Sequence, residues 1–544
     1  MKKTIGELLK EKGYITEKHI NFALKEQKAT GERLGEVLTR VGIITDFEIA
    51  KVLSEQSGIP FLDIRNINPE IKALMKIPPS LAKEKNVFPF KFNNQTLHIA
   101  IADPYDEKTI NIVNLAAKTQ IKLYIAPKSE IKRKIEWYYY LIQHPPEKEI
   151  AELTEKIRTN PNSEYNIEQL FHNIFVYAIS QRATDLHLTP TEKSCRIYCR
   201  LDGILELAFV LPKNVHSRLI TFIKIKAGMD IAEQRLPQDG RLRYEFLGEE
   251  YDIRVSTVKS IYGENMVLRI LPIKATVLHL YNLGFTQKEI ELLEELFNSP
   301  QGMILITGPT GSGKTTTLYS ALRLIDVLER NVITAEDPVE YSFPLIRQTE
   351  IKEDIGFNFA LAIKHFLRQD PDVILVGEIR DEETASMGIR AALTGHLFLS
   401  TLHTNDSISA IERLRDLGIG DSLLSSALLG ITAQRLVRKI CPHCKEEYQP
   451  DNKLLAKYHL PDEKSYFHGK GCSHCRYTGY LGRIAITEIF SIDETISNLL
   501  GEGATVSQLK KAALKKGFRP ILESAKERIL EGSTTVEEVA RILG

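Results

Sequence analysis

GPTGSGKTT, residues Gly308 to Thr316, fills every fixed place of the pattern GxxxxGK[ST]. An apolar run, Met303 to Thr307, leads into it, and an amphipathic segment around Leu318, Leu322 and Leu328 follows. Strand, glycine loop and helix therefore come in the order that a phosphate cradle needs. Gly308, Gly311 and Gly313, spaced by Pro309, Thr310 and Ser312, let backbone N–H groups turn inward around a β-phosphate. Lys314 reaches the β- and γ-phosphates as a point charge. The hydroxyl of Thr315, beside Thr316, is placed to hold Mg²⁺, and the helix dipole adds positive potential at the same spot. The implied ligand is a nucleoside triphosphate.

Two acidic strand ends follow. In NVITAEDPVEY, Val332 and Ile333 lead into Glu336, Asp337 and Glu340; in DPDVILVGEIRD, the apolar run Val373 to Val376 ends at Gly377 and Glu378. Phosphoryl transfer to water needs a carboxylate near the γ-phosphate, to orient the water and help hold Mg²⁺. Glu378 stands where that group belongs in such a sheet, and Glu336 and Glu340 are further candidates. The alternative for each is a solvated acid capping a strand. A third strand end, GHLFLSTLHTND, flanks Leu397 to Leu399 with His396 and His403. A histidine there contacts the γ-phosphate or reads its loss, or else is structural.

The chain has 544 residues, enough for three or four domains. Lys plus Arg and Asp plus Glu both total 71, so the formal net charge is zero. This gives no reason to expect nucleic acid or an anionic membrane as the main partner. No apolar run approaches a membrane span, and MKKTIGELLKEKG lacks the apolar core of a signal peptide. A cytoplasmic protein is the expectation. Of six cysteines, Cys441, Cys444, Cys472 and Cys475 form two CxxC pairs separated by 27 residues, which favours structural Zn²⁺ in a tetrahedral S₄ shell. His443 and His474 lie inside the pairs as substitute ligands, although four thiolates already complete the shell. Cys195 and Cys199, in CRIYC, read as small buried hydrophobes on one face of a strand.

The front of the chain contains a repeat. IGELLKEKGYITEKHINFALKEQ, Ile5 to Gln27, aligns without gaps on LGEVLTRVGIITDFEIAKVLSEQ, Leu34 to Gln56. Each copy predicts a short helix, a glycine stop and a second helix, so the pair makes a small bundle. From about Pro69 to Tyr140 short helices alternate with strands at Val87 to Phe92, Thr96 to Ala102 and Lys122 to Ala126. QHPPEKEIAELTEKIRTNPNSEY reads as a polar linker with one exposed helix. Further strands are predicted at Ser194 to Arg200, Arg241 to Phe246, Tyr251 to Ser256 and Asn265 to Leu271. From Leu283 a βα alternation surrounds the phosphate loop, as in a mostly parallel sheet.

GPTGSGKTT, AEDPVEY, ILVGEIRD and GHLFLSTLHTND resemble the Walker A, Asp box, Walker B and His box of the secretion ATPases that power type IV pili and type II secretion. Upstream, ATDLHLTP, RLDG, LPQDGRLR and YDIRVSTVKSIYGENMVLRIL resemble the domain preceding the motor core in that family. The front half resembles the N-terminal modules of pilus assembly (extension) ATPases. The resemblance implies a multidomain α/β chain: a helical repeat module (1–64), a small α/β domain (65–142), a linker (143–165), an α/β domain (166–275) and a RecA-like ATPase domain (276–544). The last carries the tetracysteine insertion 441–475 and a helical tail. It also implies a cytoplasmic homohexamer binding ATP between protomer domains and acting through an inner-membrane platform protein. Arg241 and Arg254 would reach the γ-phosphate, with Arg200 and Arg269 as weaker candidates, against the alternative of ordinary surface arginines. GERLGEVLTRVG resembles the RLG-type motif of modules that bind cyclic di-GMP, with Arg33, Leu34 and Gly35 in its fixed places. In the first copy Thr4 stands where the arginine would be, which leaves a plain partner-docking bundle as the other reading. Type II secretion duty, a nucleic-acid translocase, and a signal-binding scaffold with a vestigial ATP site are the competing functions. Zero net charge opposes the translocase, and an intact Lys314, Thr315 and Glu378 oppose the scaffold.

Overall fold

The computed structural model describes residues 4–65, 67–160, 165–272 and 280–544. The chain forms two compact units, Met1–Lys274 and Ala275–Gly544.

The first unit opens with the repeat. Helices Ile5–Glu11 and Glu17–Thr30 make one copy, and Leu34–Arg40 and Asp46–Ser57 the other. Both long helices stop at a glycine, Gly31 and Gly58, each with φ of 74°, a conformation glycine takes without steric cost. Matching positions form one core: Leu9 with Leu38, Ile15 with Ile44, and Ala23 with Val52 are all buried.

The small α/β domain pairs strand Val87–Asn93 antiparallel with Thr96–Ile101, which pairs parallel with Gln120–Ile125. Helix Lys128–Gln143 buries Ile131, Ile135 and Tyr139 in the same core. The segment read as a linker is different. It forms helix Pro146–Thr159 and buries Ile150 and Ile157 with the next domain's core. Two isoleucines seven residues apart anchor one stripe, and the charged residues that dominate its composition cover the rest.

A six-stranded antiparallel sheet completes this unit, in the order Ile204–Pro212, Ser194–Leu201, Asp185–Pro190, Gly263–Pro272, Glu249–Ser260 and Gln238–Phe246. Ile174, Phe175, Ile220 and Ile223, from helices Ile167–Ser180 and Lys213–Lys226, join the core of its inner face. Cys195 and Cys199 are buried there as free thiols. The edge strand Ile204–Pro212 exposes Leu205, Leu207 and Val210, so the usual apolar-in alternation fails to mark it.

The second unit is built on a seven-stranded sheet in the order Arg347–Glu350, Val332–Glu336, Val373–Val376, Leu397–Leu402, Gly302–Thr307, Leu428–Ile440 and Tyr480–Ser491. All neighbours are parallel except the last pair. The central strands are buried throughout, as expected where helices cover both faces. In such sheets ligands collect at the carboxyl ends of the strands. Among the described residues, no helix is long and apolar enough to cross a membrane.

Candidate nucleotide site and metal centre

Strand Gly302–Thr307 delivers the glycine loop to the carboxyl edge of the sheet, and helix Lys314–Leu322 starts where the loop ends. Gly311 and Gly313 take φ of 78° and 86°, which turns successive N–H groups toward one side. The Lys314 ammonium, only 8 % exposed, donates to the carbonyls of Gly308 at 2.9 Å and Pro309 at 3.3 Å. Burial pulls its pKa below the ordinary lysine value, and the nearby Glu378 carboxylate acts the other way. Lys314 and Glu378 are therefore near enough to influence each other's charge.

Glu378 follows strand Val373–Val376. Its carboxylate accepts from Arg380 Nε at 2.7 Å and lies 3.3 Å from His403 Nε2. Arg380 also comes within 3.6 Å of Asp337 and 3.8 Å of Glu353. Hydroxyls pin these strand ends to one another. Ser400 donates to the Val376 carbonyl and Thr401 to that of Gly377, each at 2.8 Å. Thr307 Oγ1 accepts from the Thr404 N–H at 2.9 Å and lies 2.7 Å from the Thr404 hydroxyl. Glu378 and His403 are thus held at fixed places relative to the loop. His396 is not at this edge. It precedes the amino end of strand Leu397–Leu402 and bonds the Ala391 carbonyl at 3.0 Å.

Glu336 ends its strand but turns inward, 4 % exposed. It accepts from Gln348 Nε2 at 3.1 Å and from the Thr334 hydroxyl. Burial raises its pKa to about 7, with Gln348 opposing and Glu340 adding to the rise. Gln348 also donates to the Tyr341 carbonyl at 2.7 Å, and Tyr341 lies close enough to Thr316 for the two side chains to interact. The Asp box thereby leans on the first turn of the loop helix. Arg380, Tyr341, Gln348 and Thr404 were not singled out by the sequence. Arg380 and Tyr341 lie inside the quoted motifs, whereas Gln348 carried no local signal.

Arg241 and Arg254 lie on the outer face of the sheet in the first unit, directly opposite each other. The register continues from Arg254 to Arg269, Asp185 and Arg200 across adjacent strands. This row of four arginines is partly neutralised from within. Arg241 pairs with the buried Asp252, while Arg269 at 3.2 Å and Arg200 at 3.6 Å share Asp185. Arg254 is exposed in the middle of the row.

The four cysteines of the insertion converge. Sγ–Sγ distances are 3.8 Å for Cys441–Cys472, 3.7 Å for Cys444–Cys475 and 3.8 Å for Cys472–Cys475, and all four sulfurs lie within 4.8 Å of one another. A tetrahedron with Zn–S bonds of about 2.3 Å has edges of about 3.8 Å, so the donor set fits Zn²⁺. The N–H groups of Cys472 and Gly479 donate to Cys475 Sγ at 3.1 and 3.3 Å, the contacts a thiolate needs. His443 and His474 stack on each other, ring centroids 4.0 Å apart, outside the sulfur cluster. Strands Lys445–Tyr448 and Tyr466–Gly469 carry the intervening loop, and Tyr448 bonds Glu537 of the tail at 2.6 Å.

In the repeat, Arg33 precedes helix Leu34–Arg40 with its side chain exposed. A Cβ on Gly35 would come 3.2 Å from Ile49 Cδ1, and one on Gly6 would come 3.0 Å from Leu34 Cδ2. The repeated glycine therefore allows close packing against an aliphatic side chain in both copies.

The family described as Type II/IV secretion system protein matches residues 160–541. The chain belongs to it. The MshEN domain matches residues 57–143 of this secretion ATPase. It is similar to the type IV pilus assembly ATPase PilB of Myxococcus xanthus, with 36 % identity across 98 % of both chains. It is also similar to type II secretion system protein E of Xanthomonas campestris pv. campestris, 35 % identical over 99 % of this chain and 98 % of the relative. The ATPase DotB of Legionella pneumophila shares the fold, with a TM-score of 0.53 and 22 % identity over 68 % of this chain and 94 % of DotB.

Proposed function

We propose that this secretion ATPase hydrolyses ATP as a homohexameric motor and that the resulting domain motion assembles pilin into a type IV pilus. The observation that carries the reading is that the glycine loop, Glu378 and His403 follow the carboxyl ends of three adjacent parallel strands, with His403 Nε2 3.3 Å from Glu378. Likeness to the Myxococcus PilB over nearly the whole of both chains favours pilus assembly. Type II secretion is the second reading, favoured by the Xanthomonas relative of equal coverage.

Lys314 leaves its loop carbonyls for the β- and γ-phosphate oxygens, and the loop N–H groups cradle the β-phosphate. Thr315 and Glu378 would hold Mg²⁺, which would supply positive charge to the phosphate oxygens. Glu378 orients the attacking water, and His403, against that carboxylate, reports whether a γ-phosphate is present. Glu340 supplies negative charge beside Glu336 at the Asp box. Arg241 and Arg254 bring positive charge to the transition state from another chain. Zn²⁺ on Cys441, Cys444, Cys472 and Cys475 would be structural, since four thiolates leave no open position. Arg33, Leu34 and Gly35 form a cyclic di-GMP contact. The motor works in the cytoplasm against an inner-membrane platform protein, with nucleic acid no part of its task.

Glu378→Gln tests the assignment. Turnover should fall about 10²–10⁴-fold while ATP affinity stays near that of the parent, because the carboxylate acts on water. Turnover within twofold of the parent would remove Glu378 from the mechanism. Complementation of a pilus-deficient and of a secretion-deficient strain separates the two duties.

A further inference from the structure

Behind the glycine loop runs strand Leu428–Ile440, parallel to the loop's own strand, with Thr307 opposite Ala433. The next residue, Gln434, is only 1 % exposed. Its Nε2 donates to the Ser312 carbonyl at 2.5 Å, across a sequence separation of 122 residues. Its Oε1 is buried with no partner, as is the Ser312 hydroxyl. The fit around it is tight. A Cβ on Gly308 would come 2.5 Å from the Gln434 carbonyl oxygen and 2.6 Å from Ser312 Oγ, and one on Gly313 would come 3.1 Å from Gln434 Nε2. The backbone behind the loop thus leaves no room for a side chain at Gly308, and one at Gly313 would press on the Gln434 amide.

We infer that Gln434 is a positioning residue of the nucleotide site, aiming the loop's donors through its hold on the Ser312 carbonyl. In a trans peptide the C=O and the following N–H point in opposite directions. Drawing the Ser312 carbonyl toward strand Leu428–Ile440 therefore turns the Gly313 N–H away from that strand, into the loop. Gly313, in the left-handed region with φ of 86°, then passes the chain into helix Lys314–Leu322. One amide therefore sets the direction of a phosphate donor and the starting point of Lys314. A buried amide with an unpartnered oxygen is costly to keep in an apolar wall. Here its donor half is spent on the loop, while Leu436, two residues on, packs with the motor core.

The inference rests on the nucleotide-binding reading of the loop, and the experiment separates the two. ADP affinity is measured by titration of the full chain, together with ATP turnover, thermal melting and zinc content, for the parent, Gln434→Met and Gln434→Glu. Methionine keeps length and volume without a donor; glutamate keeps the shape. The expected result is a parent that binds ADP, and variants with parental zinc content and a cooperative, somewhat lower melt whose ADP Kd and ATP KM rise about 10- to 100-fold, the range for losing one hydrogen bond to a charged group. kcat should fall less than kcat/KM, since an aimed loop amide serves ground and transition states alike. A folded Gln434→Met with ADP Kd within twofold of the parent would overturn the inference and leave the nucleotide reading intact. Loss of the fold in both Gln434 variants would overturn it too, by making Gln434 a residue of the core. A parent that binds no ADP would fail the nucleotide reading itself.

Discussion

Two sets of charged residues stand on two sheets, and they are finished to different degrees. At the carboxyl edge of the motor sheet, Lys314, Glu378, Arg380 and His403 find one another within the unit, and hydroxyls of Thr307, Ser400, Thr401 and Thr404 fix the strand ends that carry them. On the outer face of the antiparallel sheet, four arginines in register share Asp185 and Asp252, and Arg254 stays exposed between paired neighbours. The first arrangement is a pre-organised site. The second is a surface with surplus positive charge. The surplus charge is the feature behind the proposal that Arg254 serves a phosphate held by another chain.

The comparison breaks most sharply at Lys314. Lys314→Ala should abolish measurable ATP turnover, a loss of at least about 10³-fold, while the melting temperature stays near that of the parent; the ammonium bonds only loop carbonyls in the described structure. Parental turnover would show that the loop is not the hydrolytic site. On the arginine side, Arg254→Ala should lower turnover about 10²-fold without loss of fold, since its side chain is exposed. Chains carrying Arg254→Ala mixed with chains carrying Lys314→Ala should regain part of the activity, because a mixed interface pairs an intact loop with an intact arginine. Verified co-assembly with no regained turnover would place Arg254 outside trans catalysis.

Metal removal sharpens the contrast from a third place. Cys441→Ser should lower zinc from one per chain toward none and loosen the loop between strands Lys445–Tyr448 and Tyr466–Gly469, because metal binding and local folding are coupled. ADP affinity should change less than about threefold, since no cysteine touches the glycine loop. Elemental analysis finding no zinc in parent protein purified without chelators would overturn the metal assignment.

The sequence was most legible where backbone geometry dictates residue type. The loop demands glycines, the parallel strands demand unbroken apolar runs, and paired CxxC demands a soft tetrahedral metal; the loop and the strands sit in the structure where the sequence put them, and the cysteines converge. The repeat was legible because Leu9 and Leu38, or Ile15 and Ile44, occupy equivalent core places. One segment was read as linker and one strand was not anticipated, for a related reason. Helix Pro146–Thr159 buries only one narrow stripe, and strand Ile204–Pro212 lies at an edge with apolar residues exposed. In both, composition reports the solvent face. Gln348 and Gln434 were illegible for another reason: a buried glutamine has meaning only through a partner far away in sequence. His396 shows the converse, a histidine near the right strand but at its wrong end.

The smallest expected effect concerns the acid that turned inward. Glu336 has a pKa raised from 4.5 to about 7, chiefly by burial. Between these values the unfolded chain gives up the proton while the folded chain keeps it. Stability therefore falls as pH rises from about 4.5 through about 7, and the cost is fully present above that. At 1.36 kcal/mol per pKa unit, and allowing for relaxation of the site, the penalty is about 2 kcal/mol. Glu336→Gln removes the charge and keeps an oxygen for the Thr334 hydroxyl and the Gln348 amide. Its motor unit should melt together with that of the parent at pH 4.5 and about 5 °C higher at pH 8. Its turnover should fall far less than that of Glu378→Gln, because the carboxylate is enclosed by Thr334 and Gln348 and not by the loop. An equal melting difference at both pH values would mean that folding leaves the Glu336 pKa unshifted, and a turnover loss matching that of Glu378→Gln would move it into the hydrolytic edge.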